Sequence, residues 1–331
     1  MVVLITGATG FIGNHLTKEL CKQGYSCRCL VRNIERAKEI FKDYKDIEFV
    51  VGDVTKPETL KDIANNIDIV FHLAAHGHVA AEAEEAYKIF YNINVNGTKN
   101  LLDECLDNNI CKFFHFSSTA AVGLIPDIIV DENTKPQPKT PYQKSKLESE
   151  KAVKTFIKSR GFPAVIYRPC MVYGVGGFGE FYKFTKLVKK GIMPKIGFKK
   201  KLTPLVNVKE VVQACIQGIK GAKVGEIYFI CGDKSYPFDE IIKYIKKALN
   251  SKKIPIYVPT QIALLGAFIL EYFAKISNNT PIVTRQNIKS TIADRIFSIK
   301  KAQNDFGYCP STQLHERLFD TIKWYKIENL I

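Results

Sequence analysis

Val2-Val3-Leu4-Ile5-Thr6-Gly7-Ala8-Thr9-Gly10-Phe11-Ile12-Gly13 opens the chain and decides its fold. A short β-branched run meets three glycines spaced by three, and residues 11–23 follow with helical patterning, so the stretch reads as strand, tight turn and helix. Gly7 suits a positive φ, Gly10 admits a close backbone approach, and Gly13 lets the helix pack on its strand. Free N–H groups at such a helix start face an anion, which makes the turn a cradle for a dinucleotide's pyrophosphate. Glycine turns also end strands for geometry alone; the strand before and the helix after favour the dinucleotide.

Outward from that turn, strands are expected over 26–32, 47–51, 68–73, 112–116 and 164–168, with helices over 34–41, 57–64 and 80–108, the last broken near Tyr91. Three prolines make 126–140 a loop, and Pro141 then opens a long lysine-rich helix. Strands alternating with helices predict an α/β fold, a Rossmann-type doubly wound parallel sheet with right-handed crossovers. The expected division is a dinucleotide-binding domain over 1–168 and a smaller, mixed α/β substrate lobe over 169–331, with some segments returning to the first domain. In that lobe, Gly174, Gly176, Gly177 and Gly179 mark a loop, 226–231 a strand and 237–250 a helix.

The chain has 331 residues, enough for one large domain plus a lobe, and its 46% hydrophobic and 24% charged content is ordinary for a globular protein. No apolar run is as long as a membrane-spanning helix, and a first strand beginning at Val2 leaves no room for a signal peptide, so a cytoplasmic location is expected. Nine scattered cysteines do not form a disulfide framework and read as reduced; Cys27 and Cys29 alternate on one strand and face one side. The net charge of +15 is unevenly placed: residues 1–150 carry 17 Lys+Arg against 21 Asp+Glu, and the rest 31 against 12. A basic second half suits a phosphate- or carboxylate-bearing substrate, an anionic membrane surface or nucleic acid, or is simply a solvated lysine-rich surface. It lacks the aromatic-rich platform of an RNA binder, so no specific nucleic acid is expected.

Chemistry gathers where a doubly wound fold collects its loops. The strand over 112–116 ends in Ser117-Ser118-Thr119, and the helix after Pro141 begins Tyr142-Gln143-Lys144-Ser145-Lys146. Tyr142 and Lys146 are four apart and share a helix face. That spacing lets Lys146 lower the phenol's pKa, so that Tyr142 acts as acid or base near neutral pH, while Thr119 or Ser118 holds a substrate oxygen opposite it. A lone Tyr-x-x-x-Lys is usually a surface pair; here it comes with the glycine turn and the Ser/Thr strand end. Carbonyl reduction or alcohol oxidation with a nicotinamide follows.

These motifs resemble the extended short-chain dehydrogenase/reductase family, which includes the NAD-dependent epimerases and dehydratases. The resemblance covers nearly all of the chain. It rests on the opening turn, Gly52-Asp53-Val54, His72-Leu73-Ala74-Ala75, Asn94-Val95-Asn96-Gly97-Thr98, Ser117-Ser118-Thr119, Tyr142 to Lys146, and Arg168-Pro169-Cys170-Met171-Val172-Tyr173-Gly174. It implies that Tyr142 is the acid/base, that Lys146 binds the nicotinamide ribose, that Thr119 fills the Ser/Thr position, and that Asn94 supports a proton relay. It also implies that Gly7, Thr9, Gly10, Phe11, Ile12, Gly13, Asp53, Val54, Leu73, Ala74, Ala75 and Ser117 bind cofactor. Arg168, Pro169 and Val172 would line the nicotinamide, and Tyr173 the substrate. Helix pairing into a homodimer is common in the family.

Departures from the family pattern narrow the chemistry. Ala120-Ala121 stand where sugar-nucleotide dehydratases carry an Asp-Glu pair, so dehydration is not expected. Val122-Gly123 lacks the tyrosine usual in epimerases. This looks more like the branch of 3β-hydroxysteroid dehydrogenases and dihydroflavonol reductases, as do Arg295-Ile296-Phe297-Ser298, Lys301-Ala302, Phe306-Gly307-Tyr308-Cys309-Pro310 and Trp324-Tyr325. Val31 stands where NAD enzymes place an acid for the ribose hydroxyl, followed by Arg32 with Arg36 one turn on; NADP(H) is favoured over NAD(H).

His76-Gly77-His78 lacks a third ligand at recognisable spacing and reads as substrate-pocket lining rather than a metal site. Lys199-Lys200-Lys201 stands where the family's sugar-nucleotide enzymes hold a pyrophosphate, and reads equally as a solvated loop. Residues 262–276 are the most apolar stretch, too short to span a bilayer; they read as a buried helix, a wall of an apolar substrate pocket or a helix lying in a membrane interface, with packing the default and peripheral membrane contact an alternative. The resulting expectation is an NAD(P)(H)-dependent oxidoreductase that interconverts a secondary alcohol and a ketone on a fairly apolar small molecule. Its alternatives are a sugar-nucleotide epimerase with tightly held NAD, and a non-catalytic nucleotide-sensing or RNA-binding member of the fold.

Overall fold

The opening run is a strand, β1 (Val2–Thr6), and its turn feeds a helix, α1 (Phe11–Lys22). The chain continues through β2 (Ser26–Val31), α2 (Ile34–Ile40), β3 (Ile47–Val51), β4 (Ile69–His72), α3 (Ala83–Tyr91), α4 (Gly97–Leu106) and β5 (Lys112–Phe116). Next come β6 (Ile129–Val130), α5 (Pro141–Arg160), β7 (Ala164–Pro169), β8 (Met171–Tyr173), α6 (Glu180–Lys190), β9 (Pro194–Ile196), β10 (Leu202–Asn207), α7 (Val208–Gly221) and β11 (Ile227–Ile230). The chain closes with β12 (Ser235–Pro237), α8 (Phe238–Leu249), β13 (Ile256–Val258), α9 (Thr260–Ile276), α10 (Arg285–Ile292), β14 (Ile296–Phe297), α11 (Lys300–Phe306) and α12 (Leu314–Ile327). The structure, a computed structural model, describes residues 1–77, 83–126, 128–197, 201–253, 256–277, 281, 283–310 and 313–331.

Seven strands form one parallel sheet in the order β11-β7-β5-β4-β1-β2-β3. The chain winds outward from β1 through β2 and β3, then returns to the other side through β4, β5, β7 and β11. That reversal puts a crevice at the carboxyl ends of β1 and β4, where Thr6 stands beside His72. Both sheet faces are covered, which is why the strands read as near-continuous apolar runs. One face buries Leu16, Phe114, Tyr167, Val211 and Phe306, the other Leu4, Leu101, Phe113, Val153 and Ile166. A separate core of Phe181, Leu205, Ile245, Leu318 and Tyr325 holds α6, α8 and α12 together beyond the crevice.

One expectation changes, and another takes a defined form. The segment 57–64 is not a helix: a single 3-10 turn, Pro57–Thr59, is followed by Asp62 at φ +64° and Asn66 at φ +60°, backbone positions that end helical winding. The break near Tyr91 is one π-helical stretch, Asn92–Asn96, between α3 and α4. Such a stretch often marks a functional site. All nine cysteines are free, and Cys27 and Cys29 are both buried.

Candidate active site

The turn after β1 is built against the end of β4. Gly7 sits at φ +74°, and a Cβ there would lie 2.8 Å from the Ala74 nitrogen; at Gly13 it would lie 2.2 Å from the Gly7 carbonyl oxygen. Side chains at these positions would push the strand, the turn and the helix apart. Ala74 N–H donates to Thr6 Oγ1 at 3.2 Å, and Thr6 Oγ1 lies 2.7 Å from His72 Nδ1. Thr98 Oγ1 donates to the Asn94 carbonyl at 2.7 Å, so His72 Nε2, at 2.9 Å, must donate to Thr98. Burial, with the Lys146 charge second, pushes the His72 pKa down to about 3, which keeps this imidazole neutral.

Two adjoining cavities open over the turn, and both are bounded by Gly7, Gly10, Leu73 and Ala75. One, of about 470 Å³, is lined on its far side by Val31, Arg32, Arg36, Asp53, Val54 and His76. The other, of about 330 Å³, is lined by Phe11, Ile12, Ser118, Tyr142, Lys146 and Val172. Asp53 Oδ1 accepts from Thr55 N–H at 2.9 Å and from Thr55 Oγ1 at 2.8 Å. Burial pushes its carboxyl up, but these bonds, with the charges of Arg32 and Lys56, hold it below the usual range.

The chemistry of the second cavity comes from one face of α5. Thr140 caps this helix through Gln143 N–H, while the Gln143 side chain accepts from Thr140 N–H at 3.1 Å, so the helix starts sharply before Tyr142. Tyr142, Lys146 and Glu150 follow at intervals of four. The Tyr142 phenol lines this cavity beside Ser118, and its ring packs edge-on against Phe90 at 5.6 Å. Lys146 is buried and donates to the Phe116 carbonyl at 2.9 Å; burial lowers its pKa to about 8, against the opposing pull of Glu150. Glu150 is fully buried, accepts from Ser117 Oγ at 2.6 Å, and forms a two-pronged pair with Arg168 at 2.8 and 2.6 Å.

Several expected site residues stand elsewhere than the sequence implied. The phenol of Tyr142 is not lowered by Lys146: burial raises it, and the group pulling it back is the Ser118 hydroxyl. Ser118 rather than Thr119 makes that contact, because Thr119 opens the next short turn, Thr119–Val122, which Ser118 caps. Arg168 does not line the groove; its guanidinium turns inward to Glu150 and lies 5.4 Å from the Phe229 ring, leaving Pro169, Cys170 and Val172 at the surface of the cavity. Tyr173 is buried in the second lobe's core, its ring 5.3 Å from Phe181. Asn94 is a brace: its Oδ1 accepts from His76 N–H at 2.8 Å, and its Nδ2 donates to the His76 carbonyl at 3.1 Å and to Ser145 Oγ at 3.0 Å. His78, Lys199 and Lys200 lie outside the described residues. Sequence reasoning missed Glu150, although its place two turns beyond Tyr142 on the same face was legible.

The cavities fit a dinucleotide. A Cβ at Gly7, Gly10 or Gly13 would press on backbone, so the glycines keep a cradle open at the start of α1, and Arg32 and Arg36 supply cationic donors at one end.

Known proteins share this architecture along its whole length. The chain is 27% identical to the UDP-glucose 4-epimerase of Vibrio cholerae over 95% of this chain and 92% of that one. It is 26% identical to the sterol-4-alpha-carboxylate 3-dehydrogenase of Saccharomyces cerevisiae, over 97% of both. A solved structure of the UDP-glucuronic acid 4-epimerase of Bacillus cereus in complex with NAD superposes with a TM-score of 0.79 at 20% identity, covering 99% of each chain. With glycine turn, seven-stranded sheet and Tyr142–Lys146 face assembled on one crevice, and the model of the NAD dependent epimerase/dehydratase family matching residues 3–231, the chain belongs to that family, as an enzyme of the extended short-chain dehydrogenase/reductase type.

Proposed function

We propose that the protein is an NAD(P)(H)-dependent oxidoreductase interconverting a secondary alcohol and a ketone on a fairly apolar small molecule. The observation that carries this reading is the meeting of Tyr142, Ser118 and the buried Lys146 on one cavity wall, with Tyr142 and Lys146 one helical turn apart. A nicotinamide bound there would give or take the hydride. Tyr142, with its pKa raised by burial, keeps its proton at neutral pH and is suited to hand it to a ketone oxygen. Lys146 keeps its charge below about pH 8 and stands on the same cavity wall, suited to hold the nicotinamide ribose. Ser118, with Thr119 next to it, supplies the hydroxyl that orients the substrate oxygen.

Ala120 and Ala121 offer no acid–base pair for water loss, and Val122-Gly123 lacks the epimerase tyrosine. NADP(H) is the favoured cofactor, because Arg32 and Arg36 line the far cavity and Val31 holds the place of an acid. The basic second half and the likeness to the Vibrio cholerae enzyme favour a second reading, a sugar-nucleotide epimerase keeping NAD bound. Mass spectrometry of the nucleotide that co-purifies, paired with turnover on apolar ketones and on UDP-sugars, separates the two. Exchangeable NADPH consumed with apolar ketones is the expected result; stoichiometric NAD with UDP-sugar turnover replaces it by the second reading.

A further inference from the structure

Helix α9 carries its large side chains on the outside. Ile262, Leu265, Ile269, Tyr272, Phe273 and Ile276 recur at helical spacing along one face and are each 44–65% exposed, while the residues it buries are Ala267 and Ala274. Phe268 and Leu270 widen the exposed face on either side. A surface helix of a globular domain is arranged the other way, with its large apolar residues inward. The core beneath α9 is small, formed by Ile196, Ala267 and Ile288, so folding does not need these side chains. Contiguous apolar surface of this extent marks an interaction site.

The charge around the face identifies the partner. Lys275 lies on α9 itself, and Arg285 and Lys289 lie on α10, which packs against α9 through Ile288; the one acid on these two helices is Glu271. Glu271 is taken up by Arg285, which donates to it from Nε at 2.7 Å and from its backbone N–H at 2.6 Å. An aromatic and aliphatic stripe with a cationic rim matches an anionic lipid surface, whose acyl boundary takes the stripe and whose headgroups take the lysines. Among the described residues no helix is long and apolar enough to cross a membrane, so the contact lies in the plane of the interface.

We infer that α9 docks this protein on an anionic membrane surface, with Leu265, Ile269 and Phe273 at the centre of the contact. The docked lobe adjoins the site: β13 pairs with β9, Lys201 after β9 donates to the Ile196 carbonyl, and β10 pairs with β8 at Val206 and Val172. Val172 lines the catalytic cavity. The docking itself rests on α9 and its rim and stands independently of the reaction proposed above.

Flotation of the full chain with vesicles tests it, using phosphatidylcholine alone and phosphatidylcholine with about 30 mol % phosphatidylglycerol. The protein is expected to float with the anionic vesicles and to bind the neutral ones about tenfold more weakly. The double variant Ile269→Glu/Phe273→Glu is expected to lose at least about tenfold of the anionic binding. Because both positions are exposed, its melting temperature and dinucleotide affinity should stay at wild-type values; Phe273→Leu should still float. Wild-type protein left in the soluble fraction with both vesicles overturns the inference. So does a concentration-dependent dimer, seen by light scattering without lipid and broken by the same double variant, because the face then belongs to a second copy.

Discussion

Helix α5 is polar almost throughout and yet buries Ser145, Lys146, Ser149 and Glu150, whereas α9 is apolar almost throughout and leaves most of its large side chains in solvent. Each runs against the simple rule that polarity decides burial. In α5 every buried group has a partner: Glu150 has Arg168 and Ser117, Lys146 has the Phe116 carbonyl, and Ser149 Oγ lies 3.0 Å from His115 Nε2. For α9 the chain supplies alanines and a small core on one side, and no comparable partner for the outer stripe among the described residues. Buried charge that is paired marks where the fold prepares chemistry, and exposed apolar surface beside basic side chains marks where it meets something else.

Breaking the α5 side of this contrast has the largest expected effect. Glu150→Ala strands the Arg168 guanidinium in the core and should cost about 3–5 kcal/mol in urea unfolding, with a lowered melting temperature. A cost under about 1 kcal/mol, the range of exposed pairs, would show that the pair is not buried as described. At the other end of the groove, Arg32→Ala should weaken NADPH binding by about 10- to 100-fold and leave NADH nearly unchanged, measured by fluorescence titration. An equal loss for both cofactors would mean that Arg32 touches the shared part of the nucleotide.

His72 sharpens the comparison through pH. Its folded pKa of about 3 lies below the ordinary 6.5, so between those values the unfolded chain takes up a proton that the folded chain refuses. Its contribution is therefore complete above about pH 6.5 and declines as pH falls, by up to about 1.4 kcal/mol per pH unit. Urea unfolding from pH 7 to 5 should show this slope in the wild type and a shallower one in His72→Gln. The smallest effect belongs to α9: a Cβ at Gly266 meets nothing within 4 Å, so Gly266→Ala should stabilise the helix by about 0.5–1 kcal/mol. A loss of stability there would place another surface against α9 in the free protein.

Much of this was legible in the sequence because local spacing determines it. Glycines three apart, strands alternating with helices, and a tyrosine and lysine four apart each prescribe a geometry that neighbouring residues alone satisfy. What was not legible depends on distant contacts. Arg168 carries the same residue type whether it faces a nucleotide or the interior, and Glu150, 18 residues away, settles the matter. Tyr173 belongs to a motif that could point into the cavity, but Phe181 and the second-lobe core claim it. The segment 57–64 reads as a helix until Asp62 adopts a positive φ. The apolar spacing of α9 predicts a helix correctly and cannot say which way its stripe faces.

Turnover and nucleotide binding measured together in Tyr142→Phe test the central claim most directly. With the hydroxyl at Ser118 removed and the ring still packed on Phe90, ketone-dependent NADPH oxidation should fall by at least about 10³-fold, while NADPH affinity stays within about twofold of wild type. Turnover retained near the wild-type rate, with the same affinity, would contradict the assignment of the proton transfer to Tyr142.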